Sequence, residues 1–319
     1  MGARGPADCP LDLGLETARC GDPLTAWIAA GYALAMTKAG AIHFGKTNMS
    51  KRIAFIGGGN MASAIIGGLL GQGFAPNQID VVEPFTPAQE KLQSSYGVTA
   101  QAQAGPFLSA ADLVVWAVKP QAFRQAAQQV RPYTQNALHL SVAAGIRSDS
   151  IARWLGTERI VRAMPNTPAL IGKGISALFA RAPVSLADKA WIGEVIASTG
   201  EFVWLDAEEK LDVVTALSGS GPAYLFYFME AMTTAGVEMG LTREQAHQLT
   251  AATFVGASAL AQASSELPKV LRQRVTSKGG TTEAAIASME DEDMQAELIN
   301  AIYAARQRAK ELGDEFGAD

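Results

Sequence analysis

The stretch "RIAFIGGGNMASAIIGGL", Arg52–Leu69, decides how the rest of the chain reads. Arg52–Ile56 is a short apolar run that ends in glycine, the pattern of a strand buried in a parallel sheet. From Asn60 to Leu70, the residues Met61, Ile65, Ile66 and Leu69 recur at helical spacing. Between them stands Gly57-x-Gly59-x-x-Ala62, a strand–turn–helix form of the dinucleotide fingerprint. Gly57 permits the tight turn, Gly59 lets the backbone approach a pyrophosphate, and Ala62 lets the helix lie close on the strand. With Gly58, Asn60 and Met61 they make a helix start whose free N–H groups and partial positive charge suit phosphates. A plain tight turn is the alternative for the glycines alone; the flanking strand and helix favour a cofactor.

Working outward, strand and helix signals alternate. Strands are expected at Ile79–Glu83, Leu113–Val118, Leu138–Ser141, Arg159–Ala163 and Gly174–Ala180, and helices at Pro87–Ser95, Gln121–Val130 and Ser148–Leu155. This alternation predicts an α/β domain with a doubly wound, Rossmann-type parallel sheet over residues 49–207. Ligands of such sheets lie beyond the carboxyl ends of the strands. The loops there are Ala117-Val118-Lys119-Pro120, Ala143-Ala144-Gly145 and Met164-Pro165-Asn166-Thr167-Pro168, whose small residues and amides suit a flat cofactor. Glu83 ends the second strand, where an acidic side chain accepts the ribose 2′-hydroxyl and repels a 2′-phosphate. Taken alone, that position favours NADH over NADPH.

After Glu208 the strand signals stop, and an all-α domain is expected over residues 208–319. Pro222 opens one helix and Gly240 closes it; Thr242 with Gln245 forms a capping box for the next. Two loops interrupt the helices, Ser218–Pro222 and Thr276–Glu283. The second is a glycine turn running into a helix start, a nest for an anion such as a carboxylate or else a simple helix cap. The small residues of Arg243–Ser264 permit close packing, but one thin helical layer cannot bury its Phe, Leu and Met. A dimer supplies the missing surface.

Composition bounds these readings. The 319 residues are 48% apolar and 18% charged with formal net charge −5, which fits a globular protein and not a general polyanion binder, so no nucleic-acid partner is expected. The two cysteines, Cys9 and Cys20, precede the glycine cluster, as in a protein of the reducing cytoplasm without a disulfide framework. No run approaches the roughly 20 apolar residues of a membrane span, no secretory signal is expected, and no metal site is expected. Residues 1–48 lack a packing period. Met49 then reads as the natural start, with a tail helical over Leu24–Ala39 as the alternative.

At the glycine turn, the three strand-end loops, Ser218-Gly219-Ser220-Gly221-Pro222-Ala223-Tyr224 and Ser277-Lys278-Gly279-Gly280-Thr281-Thr282-Glu283, the sequence resembles pyrroline-5-carboxylate reductase from Met49 to about Leu312. That resemblance implies NADPH- or NADH-dependent reduction of the cyclic imine 1-pyrroline-5-carboxylate to L-proline, the last step of proline biosynthesis. It implies a homodimer formed through the helical domain, assembled in some members into larger rings, with substrate between one subunit's nicotinamide and its partner's helices. Ser277, Gly280, Thr281 and Thr282 would hold the substrate carboxylate and ring nitrogen. Pro222 would line the nicotinamide side, and Lys119 and Pro120 the cofactor side. Two positions depart from the family: Lys278 replaces a common proline, and Ala104 a frequent asparagine.

The residue inventory agrees with imine reduction. His43, His139 and His247 all lie outside the candidate loops. A protonated C=N is already electrophilic, so positioning supplies much of the acceleration, with the Thr282 hydroxyl as the one catalytic candidate. A two-domain hydroxyacid dehydrogenase would need a lysine such as Lys210 but also an asparagine four residues later, which is missing. A non-catalytic NAD(P)-binding regulator would not need the Ser277–Thr282 nest. Removing residues 1–48 is expected to leave activity and melting temperature nearly unchanged, and a large loss of either in the shortened protein would refute that reading.

Overall fold

The computed structural model describes residues 50–317. The early segment, with its candidate helix, its candidate start at Met49, both cysteines and His43, lies outside them. The described chain divides into two compact units. One runs to Gly219 and takes up the chain again from Arg308, and the other is Ser220–Gln307. The expected helical domain, 208–319, and this division differ at both ends: the segment 208–219 and the chain from Arg308 onward belong to the first unit.

The first unit is an eight-stranded sheet. Its strands are β1 (Ile53–Ile56), β2 (Ile79–Val82), β3 (Ala100–Gln101), β4 (Leu113–Trp116), β5 (Leu138–Ser141), β6 (Ile160–Met164), β7 (Gly174–Ala180) and β8 (Gly200–Trp204). They stand in the order 3-2-1-4-5-6-7-8. The helices between them are α1 (Asn60–Gly71), α2 (Thr86–Tyr96), α3 (Pro120–Val130), α4 (Ser148–Leu155) and α5 (Leu186–Ala197), and α6 (Lys210–Val214) follows β8. Strand β1 is buried at every residue because both faces of the sheet are covered. Alternate side chains part accordingly: Ile53 and Phe55 pack with Ile65, Ile66 and Leu69 on one face, while Ala54 and Ile56 pack with Trp116 and Phe123 on the other.

The sheet is not wholly parallel, a correction to the sequence expectation. Strand β7 runs antiparallel to β6, and β8 is parallel to β7. The connection 165–173 holds only a 3-10 turn, shorter than the dozen or so residues that a parallel crossover needs. Strand β8 escaped the sequence reading because its "GEFVW" is only half-buried, and the two-residue β3 is too short to carry a pattern. Helix α5, also unanticipated, is opened by a capping box between Ser185 and Asp188.

The second unit holds α7 (Gly221–Glu238), α8 (Arg243–Ala263), α9 (Pro268–Arg274), α10 (Thr281–Asp291) and the first part of α11 (Met294–Gly317), which continues into the first unit. The Thr242–Gln245 capping box opens α8 as expected. Helices α7 and α8 approach closely where Gly236 meets Ala246. Large apolar residues are left outside, among them Phe226 at 57%, Leu249 at 59% and Leu260 at 60% exposure. Among the described residues, no helix is long and apolar enough to cross a membrane.

His139, on β5, is buried in the core beside Trp116 of β4. The Trp116 indole N–H donates to its Nδ1 at 3.1 Å, so the ring proton belongs on Nε2, which faces the Thr134 carbonyl at 3.2 Å. Burial pushes its pKa down to about 4, against the opposing pull of that carbonyl. The unfolded chain therefore binds the proton more readily than the fold. The contribution is complete above the unfolded value of 6.5 and is lost as pH falls from there towards about 4. Denaturant titrations are expected to show about 3 kcal/mol lost to this group over that window, with a flatter profile in His139→Gln; equal profiles for the two proteins would remove the assignment.

Candidate functional site

The glycine turn joins β1 to α1 at the carboxyl ends of three neighbouring strands. Gly57 takes φ +96°, and a Cβ there would stand 2.6 Å from the Ala117 carbonyl oxygen, so only glycine lets these backbones meet. Its N–H donates to the Val82 carbonyl at 2.8 Å. Gly59 is the N-cap of α1, with no side-chain cap and no acidic residue in the first turn. A Cβ on Gly59 would meet nothing within 4 Å. The N-terminal amides of α1, at Asn60, Met61 and Ala62, thus have no intrahelical acceptor and open onto free space beside exposed Gly59 and Asn60. Ala62 is fully buried against the sheet. Uncapped amides, a missing Cβ and a positive helix end fit a dinucleotide's pyrophosphate.

Glu83 lies just past β2, but its carboxylate is turned onto the glycine turn itself. Oε2 accepts from Gly58 N–H at 2.7 Å and Oε1 from Phe85 N–H at 2.8 Å. Two amides thereby fix the side chain at the mouth of the turn, and an ionised carboxylate keeps lone pairs for further donors. Lys119, exposed, is the N-cap of α3 and Pro120 its first residue. Ala117 and Val118 form the crossing segment that Gly57 accommodates. Ala143 N–H donates to Ser141 Oγ at 3.3 Å, and Gly145, at φ +71°, ends the Ala143–Ala144–Gly145 bend. Asn166 Oδ1 accepts from Ile175 N–H at 3.0 Å and so ties the β6–β7 connection to the start of β7.

A buried charge cluster that the sequence did not disclose underlies these loops. Arg162, on β6, pairs with Glu208 at 2.7 Å with only 8% of its side chain exposed. Glu208 also accepts from Ser148 N–H at 2.6 Å and from the Ser148 hydroxyl. This anchors the start of α4 to the segment before α6. The partners are far apart in sequence, and no local pattern marks them.

In the helical unit, the expected loop Ser218–Pro222 is instead a π-helical turn, Thr215–Gly219, leading directly into α7. The Thr215 and Ser218 hydroxyls bond the carbonyls four residues back, which favours the widened turn. Pro222 lies in the first turn of α7, as expected. The segment Ser277–Gly280 closes a tight turn through Gly280 N–H to the Ser277 carbonyl at 3.0 Å. A Cβ on Gly280 would lie 2.6 Å from Ser277 Oγ and 3.0 Å from the Ser277 carbonyl oxygen, so a side chain there would crowd the turn. Gly280 caps α10 without a side-chain bond, and Thr281 and Thr282 follow as its first two residues. The Glu283 carboxylate takes Gly279 N–H, holding the turn on the helix while the Thr281 and Thr282 amides remain without intrahelical acceptors. Lys278 is exposed on this turn.

The residues of the rival readings are otherwise engaged. Lys210 pairs with Asp206 at 2.6 Å as an exposed i,i+4 couple. His247 is exposed on α8, and His139 is sealed in the core. Among the described residues, no three His, Cys, Asp or Glu side chains come together as a metal site would require.

A family model described as pyrroline-5-carboxylate reductase dimerisation matches residues 208–312, and one described as NADP oxidoreductase, coenzyme F420-dependent, matches residues 52–145. The chain is 44% identical over 268 residues to the pyrroline-5-carboxylate reductase of Pseudomonas aeruginosa, covering 83% of this chain and 98% of that one. It is 36% identical over 266 residues to that of Arabidopsis thaliana, covering 82% and 96%. Among solved structures, a pyrroline-5-carboxylate reductase from Coxiella burnetii superposes with TM-score 0.76 at 38% identity, covering 82% of this chain and 98% of its own. That of Plasmodium falciparum, solved with NADP bound, gives 0.75 at 27% identity over 83% and 99%. With an uncapped dinucleotide turn in one unit, an uncapped threonine-led helix in the other, and relatives matched over nearly their whole length, the chain belongs to the pyrroline-5-carboxylate reductase family.

Proposed function

We propose that this protein reduces 1-pyrroline-5-carboxylate to L-proline with NADPH or NADH, the last step of proline biosynthesis. The observation that carries the reading is the Ser277–Thr282 turn. A regulator that only binds a nucleotide has no use for an uncapped helix start, closed by a side-chain-free Gly280, in a unit separate from the nucleotide turn. The bound coenzyme supplies the hydride. The protein supplies grip and orientation. Gly57, Gly58, Gly59, Asn60, Met61 and Ala62 hold the pyrophosphate, and Glu83 meets the ribose. The loops at 117–120 and 143–145, with Asn166 behind them, flank the nicotinamide. Ser277, Gly280 and the amides of Thr281 and Thr282 receive the substrate carboxylate at the positive end of α10. The Thr282 hydroxyl meets the ring nitrogen, and Pro222 gives an apolar surface beside the nicotinamide. Two copies join through the helical unit, whose exposed Phe226, Leu249 and Leu260 ask for cover, and such dimers assemble further into a ring. The cytoplasm is the compartment that this cysteine usage fits.

Thr282→Ala keeps the amide and the helix start but deletes the hydroxyl. A hydrogen bond to a charged group is worth about 1.5–3 kcal/mol, so kcat/KM for the imine should fall roughly ten- to a hundredfold. Thr282→Ser should retain most activity and coenzyme affinity should hardly move; wild-type rates in Thr282→Ala would refute the assignment. Glu83→Ser removes the carboxylate from the mouth of the glycine turn. The NADPH-to-NADH ratio of kcat/KM is expected to rise by roughly tenfold, and an unchanged ratio would show that this carboxylate serves only the turn.

A further inference from the structure

The bend Ala143–Gly145 is held from outside by the far end of the chain. A Cβ on Gly145 would lie 3.1 Å from Leu312 Cβ and 3.4 Å from Phe316 Cδ2, so the last turns of α11 lie directly against this backbone. The fit depends on small residues at every fourth position of the helix. Ala309 and Gly313 are buried, a Cβ on Gly313 would approach Arg147 Nε to 3.3 Å, and one on Gly317 would approach Ser150 Oγ to 3.2 Å. Phe316 packs into the cluster formed by Trp116, Phe123 and Ile146. Polar contacts pin the same turns: Arg147 to Asp314 at 2.5 Å, and Arg153 to the Gly317 carbonyl at 3.2 Å. Arg308 braces the helix end by bonding Glu311 at 3.1 Å and Glu315 at 2.7 Å.

We infer that Leu312–Gly317 is a positioning element for the reaction, fixing the Ala143–Gly145 bend in the conformation that receives the coenzyme. This rests on the assignment of that bend to coenzyme binding. The reasoning is steric. Gly145 holds φ +71°, its loop is tied at one end by Ser141 and at the other by Ser148 to Glu208, and Leu312 and Phe316 of α11 lie over Gly145 itself. Without Leu312 and Phe316 the bend is free to relax outward, and the coenzyme must then reorder it on binding. The imine site, in the Ser277–Thr282 turn, makes none of these contacts.

The test is removal of residues 312–319, with fluorescence titration of NADH and NADPH in the absence of imine, and steady-state kinetics alongside. The coenzyme Kd should weaken roughly tenfold, the imine KM should stay within about twofold, and unfolding should remain cooperative. Phe316→Ala should reproduce part of the coenzyme effect, and Phe316→Leu should recover most of it. A folded, shortened protein with unchanged coenzyme Kd overturns the inference, as does an equal rise in coenzyme and imine KM. If the shortened chain does not fold, Leu312→Ala combined with Phe316→Ala is read by the same criteria. The titrations need no imine turnover, so they decide this point even if the full-length protein proves unable to reduce 1-pyrroline-5-carboxylate.

Discussion

The meeting of two backbones at Gly57 is the constraint from which the site follows. The Ala117 carbonyl oxygen occupies the space a Cβ would need, while Gly57 N–H reaches the Val82 carbonyl and Ala117 N–H reaches the Ile56 carbonyl at 2.9 Å. These bonds end β2, β1 and β4 at one level. Val142 N–H to the Trp116 carbonyl at 3.0 Å brings the end of β5 to the same level. The glycine turn, Glu83, Lys119–Pro120 and the 143–145 bend therefore emerge side by side. A side chain at position 57 would separate the strand ends, and every loop on them would shift.

In both units the protein spends acidic side chains on backbone amides. Glu83 takes the amides of Gly58 and Phe85, Glu208 takes that of Ser148, and Glu283 takes that of Gly279. Glu83 and Glu283 each hold a turn beside a helix start and leave the first amides of α1 and α10 free, whereas Glu208 takes the first amide of α4 itself. The two helix starts proposed to receive ligands, α1 and α10, lack a side-chain cap. A cap there would satisfy the amides internally and lower their hold on phosphate or carboxylate. The Arg162–Glu208 pair is a different case, because burial makes each charge depend on the other. Losing one partner of such a pair costs about 3–5 kcal/mol, far more than the intact pair contributes.

The helical unit gains little from its own interior. Its close contact is made by small residues, Gly236 against Ala246, and the large apolar side chains of α7 and α8 stay on the surface. Helices joined through small residues approach well but bury little area, and the area left over is the surface proposed to meet a second copy. Stability and assembly are thus one question for this half of the chain.

The sequence by itself determined the features that depend on neighbours in the chain. The period of Arg52–Leu70 marks strand, turn and helix because burial on both faces forces an apolar strand and a 3.6-residue repeat forces an apolar stripe. Thr242 and Gln245 read as a cap because the bonds span three residues. The Ser277–Thr282 turn was legible because glycine and hydroxyl residues before a helix have few other uses. What only the tertiary structure decided depends on distance. The antiparallel turn at β7 follows from a connection too short for a crossover, and β8 from pairing with β7, not from its own half-exposed pattern. Glu83 was readable as a carboxylate at a strand end, but its seat on Gly58 was not. Arg162 with Glu208, and Leu312 with Gly145, join residues far apart along the chain. Such pairs leave no local trace, since each partner alone is an ordinary surface or helix residue until the fold removes water from between them.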